Sequence, residues 1–281
     1  MDNAQFDALR QLLPDSEEET ERLERLTAIE GQSKPRLVVY GTYNAGKSSL
    51  LNALTGHYET DFFRVNDIPE TRAETAWEGE HFIYIDTPGL DVDLWDDRVA
   101  RHGIASADLV LLVHRLSAGS LQKEDAAAFK RLAEVSDVLL VLTGAEQAEE
   151  ETGLISEITE MLNNFTAKPI PIFPVATPRY FKGMREGKLK LASASGIPAL
   201  IAQLEQRSIA LRAELENDRK ARRTALLEQL LQAAKTRQRA ARTALQDKTH
   251  NMASRQQQFL HDVQHFRREL QQKLADYNKL I

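Results

Sequence analysis

Leu37-Val38-Val39-Tyr40-Gly41-Thr42-Tyr43-Asn44-Ala45-Gly46-Lys47-Ser48-Ser49-Leu50-Leu51-Asn52-Ala53-Leu54 decides how this chain folds. An apolar run, rich in β-branched residues, reads as a buried strand, and the apolar periodicity after Lys47 reads as a helix. Between them lies G-x-x-x-x-G-K-[ST], spanning Gly41 to Ser48. In a strand-to-helix setting such a loop turns backbone N–H groups inward around phosphate oxygens, and the positive end of the following helix points at them. Gly41, Asn44, Ala45, Gly46, Lys47, Ser48 and Ser49 are therefore the expected binding residues. Lys47 is placed to reach the outer phosphates and the Ser48 hydroxyl to ligate Mg²⁺.

Working outward, strand-like runs at 36–40, 81–86, 108–114, 137–143 and 169–176 alternate with amphipathic helical stretches. That alternation predicts an α/β fold built on a mainly parallel sheet. The second run ends in Asp86-Thr87-Pro88-Gly89, 38 residues after Ser48. This interval accommodates a helix, a loop and a strand returning to the same end of the sheet. Asp86 is then a metal-side carboxylate, and the Gly89 amide a sensor of the terminal phosphate. Between the two motifs, Ile68-Pro69-Glu70-Thr71-Arg72 offers a loop hydroxyl for the metal. Thr71 is the candidate there and Thr75 the reserve, since Thr75 already reads as strand.

The chain has 281 residues, 42% apolar and 28% charged, which is enough for a packed core and excludes wholesale disorder. With no cysteine, a disulfide scaffold, a thiolate metal site and a cysteine nucleophile are excluded. No apolar run approaches the roughly 18 residues of a spanning helix. With no secretory or lipidation signal read at either end, the expected address is cytoplasmic, with room for peripheral membrane contact. The net charge of −6 conceals an uneven distribution: residues 1–30 hold 3 basic and 9 acidic groups, residues 201–281 hold 16 and 9.

Taken together, Gly41 to Asn52, Asp86-Thr87-Pro88-Gly89-Leu90 and the stretch 107–142 resemble the TRAFAC-class P-loop GTPases, in particular the TrmE-Era-like and bacterial dynamin-like branch. The resemblance covers about residues 36–205. It implies binding of GTP and GDP with Mg²⁺, and catalytic roles for Lys47, Thr71 and Asn44. In relatives reading N-A-G-K-S the asparagine can hold a K⁺ ion that replaces an arginine finger and bridges paired G domains, which implies the same for Asn44. Leu90 stands where Ras-like members carry a water-orienting glutamine. The resemblance is thus to GTPases that are slow alone and are activated by dimerisation, a cation or a partner. Arg64 and Arg72 are weaker candidates for an arginine supplied in cis.

The departures lie on the base side. Where the family reads guanine through N/T-K-x-D, this chain has Thr143-Gly144-Ala145-Glu146, and its S-A-x counterpart is Val175-Ala176-Thr177. Thr143, Glu146 and the Ala176 N–H are the expected base contacts. His114, at the end of a strand, reads as a structural histidine.

All 13 glycines and 9 prolines lie before Ala199, so the rest reads as long helix. Its basic run, Arg219, Lys220, Arg222, Arg223, Lys235, Arg237, Arg239 and Arg242, suits an anionic membrane, an acidic partner or the acidic N-terminal helices, with nucleic acid less favoured. Further on, Phe259, Val263, Phe266, Leu270, Leu274, Tyr277 and Ile281 form an apolar stripe. A straight helix of this length, roughly 125 Å at about 1.5 Å per residue, would leave that stripe wet. The expectation is a hairpin folded against the N-terminal helices, or pairing with another chain.

Three segments follow: a helical 1–33, a G domain over 34–205, and a helical or coiled-coil 206–281. The expected activity is hydrolysis of GTP to GDP and phosphate, stimulated by G-domain dimerisation, a cation or a hetero-partner on the tail, with nucleotide state passed to the helices. The alternatives are a non-hydrolysing switch or partner-binding module and a base-unselective NTPase.

Overall fold

The computed structural model describes residues 1–42, 44–60, 62–63, 75–86, 106–121, 129–130, 132–133, 136–147, 152–165 and 170–279, with side chains to 274. Thr71, Gly89, Leu90, Arg64 and Arg72 lie outside the described residues.

Six strands make one sheet: β1 Arg36–Tyr40, β2 Thr75–Glu78, β3 Ile83–Asp86, β4 Leu109–Arg115, β5 Asp137–Thr143 and β6 Ile172–Val175. Their order is β2-β3-β1-β4-β5-β6. The β3–β1, β1–β4, β4–β5 and β5–β6 pairs are parallel, and β2 runs antiparallel on the edge. The central strands read as continuous apolar runs because both faces are covered.

Alternate residues divide between two cores. Leu37, Val39, Leu109, Leu111, Leu139 and Val141 face α3 (Lys47–Leu54), α5 (Thr177–Arg185) and the first turns of α7 (Ile197–Lys279). Val38, Tyr40, Val110, Leu112, Leu140 and Leu142 face the other way, with Ile158 and Leu162 of α4 (Thr152–Phe165). A short α6 (Leu189–Ser193) follows α5, and α2 (Glu17–Ala28) precedes the sheet.

The N-terminal edge of the sheet is held by arginines of α7. Asp108, 5% exposed at the head of β4, accepts from Arg219 Nε (3.1 Å), Arg219 NH2 (2.5 Å), Arg222 NH2 (2.8 Å) and the Arg36 N–H (2.8 Å). Arg219 also donates to the carbonyls of Ile29, Gln32 and Lys34. Arg223 pairs with Glu30 at 2.5 Å, Arg207 pairs with Asp137 at the head of β5, and Arg212 donates to the carbonyls of Glu80 and His81. Part of the basic run expected to face a membrane, a partner or the acidic N-terminal segment is therefore internal: Arg219 is 4% exposed, and Arg223 meets Glu30 of that segment.

The chain divides into two compact units. One is Glu18–Leu226 together with Met1; the other joins Asp2–Glu17 to Leu227–Ile281. The first thus reaches Leu226 and takes in α2 from Glu18 onward. In the second, α1 (Asn3–Leu12) opens with a capping box: Asp2 Oδ1 accepts from the Gln5 N–H, and Gln5 Oε1 accepts from the Asp2 N–H. Phe6, Leu13 and Leu230 are buried. The expected hairpin is not formed: α7 is one unbroken helix, since no Gly or Pro interrupts it after Pro198. Every residue from Lys235 to Leu274 is exposed.

Candidate functional site: a phosphate loop at the carboxyl edge of the sheet

The loop leaves β1 at Gly41, where a Cβ would come within 2.2 Å of the Val113 carbonyl oxygen on β4. Only glycine allows that approach. At the far end Gly46 caps α3 with φ +92°, the left-handed region, and no side chain caps the helix. The first N–H groups of α3 are thus left for a ligand. Asn44 is the described non-glycine residue with positive φ, at 58°, a conformation asparagine tolerates. It is exposed, and its carbonyl accepts from Arg115 NH1 at 3.3 Å.

Lys47 is 6% exposed, and its Nζ donates to the carbonyls of Gly41 (2.9 Å) and Thr42 (2.8 Å). Burial pulls its ammonium down to about 8, and the Asp86 carboxylate partly opposes that fall. Ser48 Oγ donates to Asp86 Oδ2 at 2.9 Å, while Asp86 Oδ1 is buried without a partner. Burial raises the Asp86 carboxyl above its usual range, against the Ser48 hydrogen bond and the Lys47 charge.

The sequence motif and the folded loop agree: residues 38 apart in the chain meet at one point. A hydroxyl and a carboxylate oxygen side by side, with one oxygen lacking a donor, fit a Mg²⁺ held through few protein ligands and completed by phosphate. Among the described residues no three His, Cys, Asp or Glu side chains converge into a metal cage. Thr75 opens β2, opposite Asp86 in the strand register.

On the base side, Thr143 Oγ1 donates to the Ala45 carbonyl at 2.5 Å, tying the end of β5 to the phosphate loop. Glu146 lies in a single 3-10 turn, Ala145–Gln147, and is exposed; its carbonyl accepts from Arg179 NH2. The Ala176 N–H does not point to a base contact: it donates to the Ser195 carbonyl at 2.8 Å. Ser195 stands two residues before α7. Close by, the Thr177 Oγ1 is buried without a partner. His114 is structural, as expected, with Nε2 donating to the Gly119 carbonyl at 2.8 Å.

Sequence reasoning missed three anchors. Asn52 clamps the backbone of Phe63, donating to its carbonyl and accepting from its N–H, both at 2.9 Å. The other two are the Arg219–Arg222–Asp108 clasp and the Arg179 tie to the base-side turn. Asp108 heading a buried strand was the one signal available for the clasp.

A parallel sheet with this loop at its carboxyl edge defines a P-loop nucleotide-binding protein. Residues 36–176 match the family described as 50S ribosome-binding GTPase, and the chain belongs to it. An uncharacterized protein of Acinetobacter baylyi is 34% identical over 208 residues, covering 71% of this chain and 48% of that protein. The tRNA modification GTPase MnmE of Salinibacter ruber is 36% identical over 120 residues, 39% of this chain and 25% of its own. The chain thus spans at most about half the length of these relatives. Among solved structures, Era bound to MgGDPNP and a segment of 16S ribosomal RNA aligns with TM-score 0.41 at 20% identity, over 57% of this chain and 56% of that one.

Proposed function

We propose that this protein binds GTP with Mg²⁺ and hydrolyses it to GDP and phosphate. The observation that carries the reading is the convergence of Lys47, Ser48 and Asp86 at an uncapped helix N-terminus. When phosphates enter, Lys47 exchanges its two loop carbonyls for phosphate oxygens, and α3 amides take the rest. Ser48 and the free oxygen of Asp86 would hold Mg²⁺, which when bound would supply positive charge to the phosphate oxygens. The oxygen of a water then bonds to the terminal phosphorus as the bridging P–O bond breaks; GDP leaves with that bond's electron pair and the water's proton passes to the released phosphate. Gly89 and Thr71 belong to the same reading through the family resemblance. So does K⁺ at Asn44, whose exposed side chain suits an ion shared between paired G domains. In the same reading, nucleotide state is passed to the helices through Thr71 and the loop after Asp86.

Single-turnover hydrolysis of GTP, in K⁺ against Na⁺, tests this. Turnover dependent on Lys47 is the expected result, with stimulation by K⁺ if Asn44 holds the ion. Binding without turnover in either cation, or with added partner copies, leaves a switch rather than an enzyme. Weak base selection is favoured by one observation, the commitment of the Ala176 N–H to Ser195. Competition of ATP against GTP decides that point, with near-equal binding expected for a base-unselective site.

A further inference from the structure

From Lys235 to Leu274, α7 exposes every residue, yet it carries Leu245, Met252, Phe259, Val263, Phe266 and Leu270 at 47–71% exposure. Leu245, Met252, Phe259 and Phe266 recur every seven residues. Four residues after each stand Thr249, Gln256, Val263 and Leu270. A mean spacing of 3.5 is the seam of a left-handed coiled coil, in which each apolar side chain enters a hole on a facing helix.

We propose that the facing helix is the same segment of a second copy of this chain, lying antiparallel. The argument is charge. Immediately before Thr249, Gln256, Val263 and Leu270 stand Lys248, Arg255, Asp262 and Glu269, a flank that is basic in its first half and acidic in its second. In an antiparallel pair this flank lies beside its own reverse. Lys248 then meets Glu269 of the other copy and Arg255 meets its Asp262. Two-fold symmetry repeats each pair. In a parallel pair the same flank faces Gln246, Ala253, Leu260 and Arg267, and only Asp262 finds an opposite charge, at Arg267. Among the described residues Lys248 and Arg255 take part in no ion pair, so both are available. An anionic lipid surface fits less well, because Asp262 and Glu269 border the apolar seam. Gln256 and Thr249 within the seam favour one register over others, as polar seam residues do. The inference rests on α7 alone and stands or falls separately from the nucleotide reading.

Sedimentation of the full chain without nucleotide, at up to about 100 μM, a range that captures a modest dissociation constant, is expected to reveal a dimer. Lys248→Glu with Arg255→Glu makes the flank wholly acidic, and Asp262→Lys with Glu269→Lys makes it wholly basic. Each double variant alone is expected to dissociate at least about tenfold more readily, and their equal mixture to restore the dimer, since every pair across the interface is then opposite in sign. The chain has no cysteine, so single cysteines label cleanly. Spin labels at Gln258 should lie near the interaxial spacing of roughly 10 Å plus their own reach. Labels at Ala240 should stand roughly 55 Å apart, at about 1.5 Å per residue along two opposed helices. A monomer, a dimer requiring nucleotide, short distances at both sites, variants that dimerise unchanged, or binding to phosphatidylserine vesicles in place of self-association would each overturn the proposal.

Discussion

Two aspartates stand near opposite edges of the same sheet. Asp108, at the head of β4, accepts four hydrogen bonds, three of them from guanidinium groups. Asp86, at the end of β3, accepts one from Ser48 on Oδ2 and leaves Oδ1 buried and unpartnered. Beside it Lys47 is turned back on its own loop. The difference separates a carboxylate whose partners are complete from one with an oxygen left open, the one that the proposed function gives to Mg²⁺. Burial of a charge is stabilising only when partners complete it, and an incomplete set is tolerated where a ligand finishes it.

Substitution at each edge should break that symmetry. The largest effect is expected for Asp108→Ala, which leaves Arg219 charged, buried and unpaired; denaturant unfolding should register a loss of about 3–5 kcal/mol. Next is Lys47→Ala. It should weaken GTP binding at least about 100-fold, since it removes charge-assisted bonds worth about 1.5–3 kcal/mol each. The free protein should lose no stability, because the ammonium it removes is desolvated. Titration calorimetry and unfolding together check both halves; a K47A protein as unstable as D108A would erase the contrast.

pH sharpens the comparison further. Phosphates bind the protonated Lys47, and in the free protein its proton leaves near pH 8. Affinity should therefore fall above that value by up to about tenfold per pH unit, with proton uptake by Lys47 on binding. Residual binding by Lys47→Ala should lack this slope. The smallest effect is expected for Thr143→Val, which deletes the hydroxyl bond to Ala45 and keeps the shape; about 0.5–1.5 kcal/mol of stability should be lost on denaturation.

The edge that waits for a ligand was the readable one. Its strand, loop and helix are contiguous from Arg36 to Leu54, so periodicity and glycine placement disclosed them, and Asp86 followed from strand spacing. The edge that holds the fold was not readable. Asp108 and Arg219 are 111 residues apart, and a charge run on a helix does not announce which arginines turn inward. Backbone donors are equally silent, which is why the Ala176 N–H was assigned to a base and is found on Ser195. The hairpin, one of the two expected ways to cover the apolar stripe, is absent for a different reason: no Gly or Pro breaks α7 after Pro198, which leaves pairing with another chain.

The Thr143 hydroxyl, fixed on the Ala45 carbonyl, joins the end of β5 to the phosphate loop through a single proton. Under the proposed function, recognition of the heterocycle and grip on the anionic tail are then not separately adjustable. In that reading a variant that reshapes this turn to admit a different nucleoside also shifts the loop that cradles phosphate.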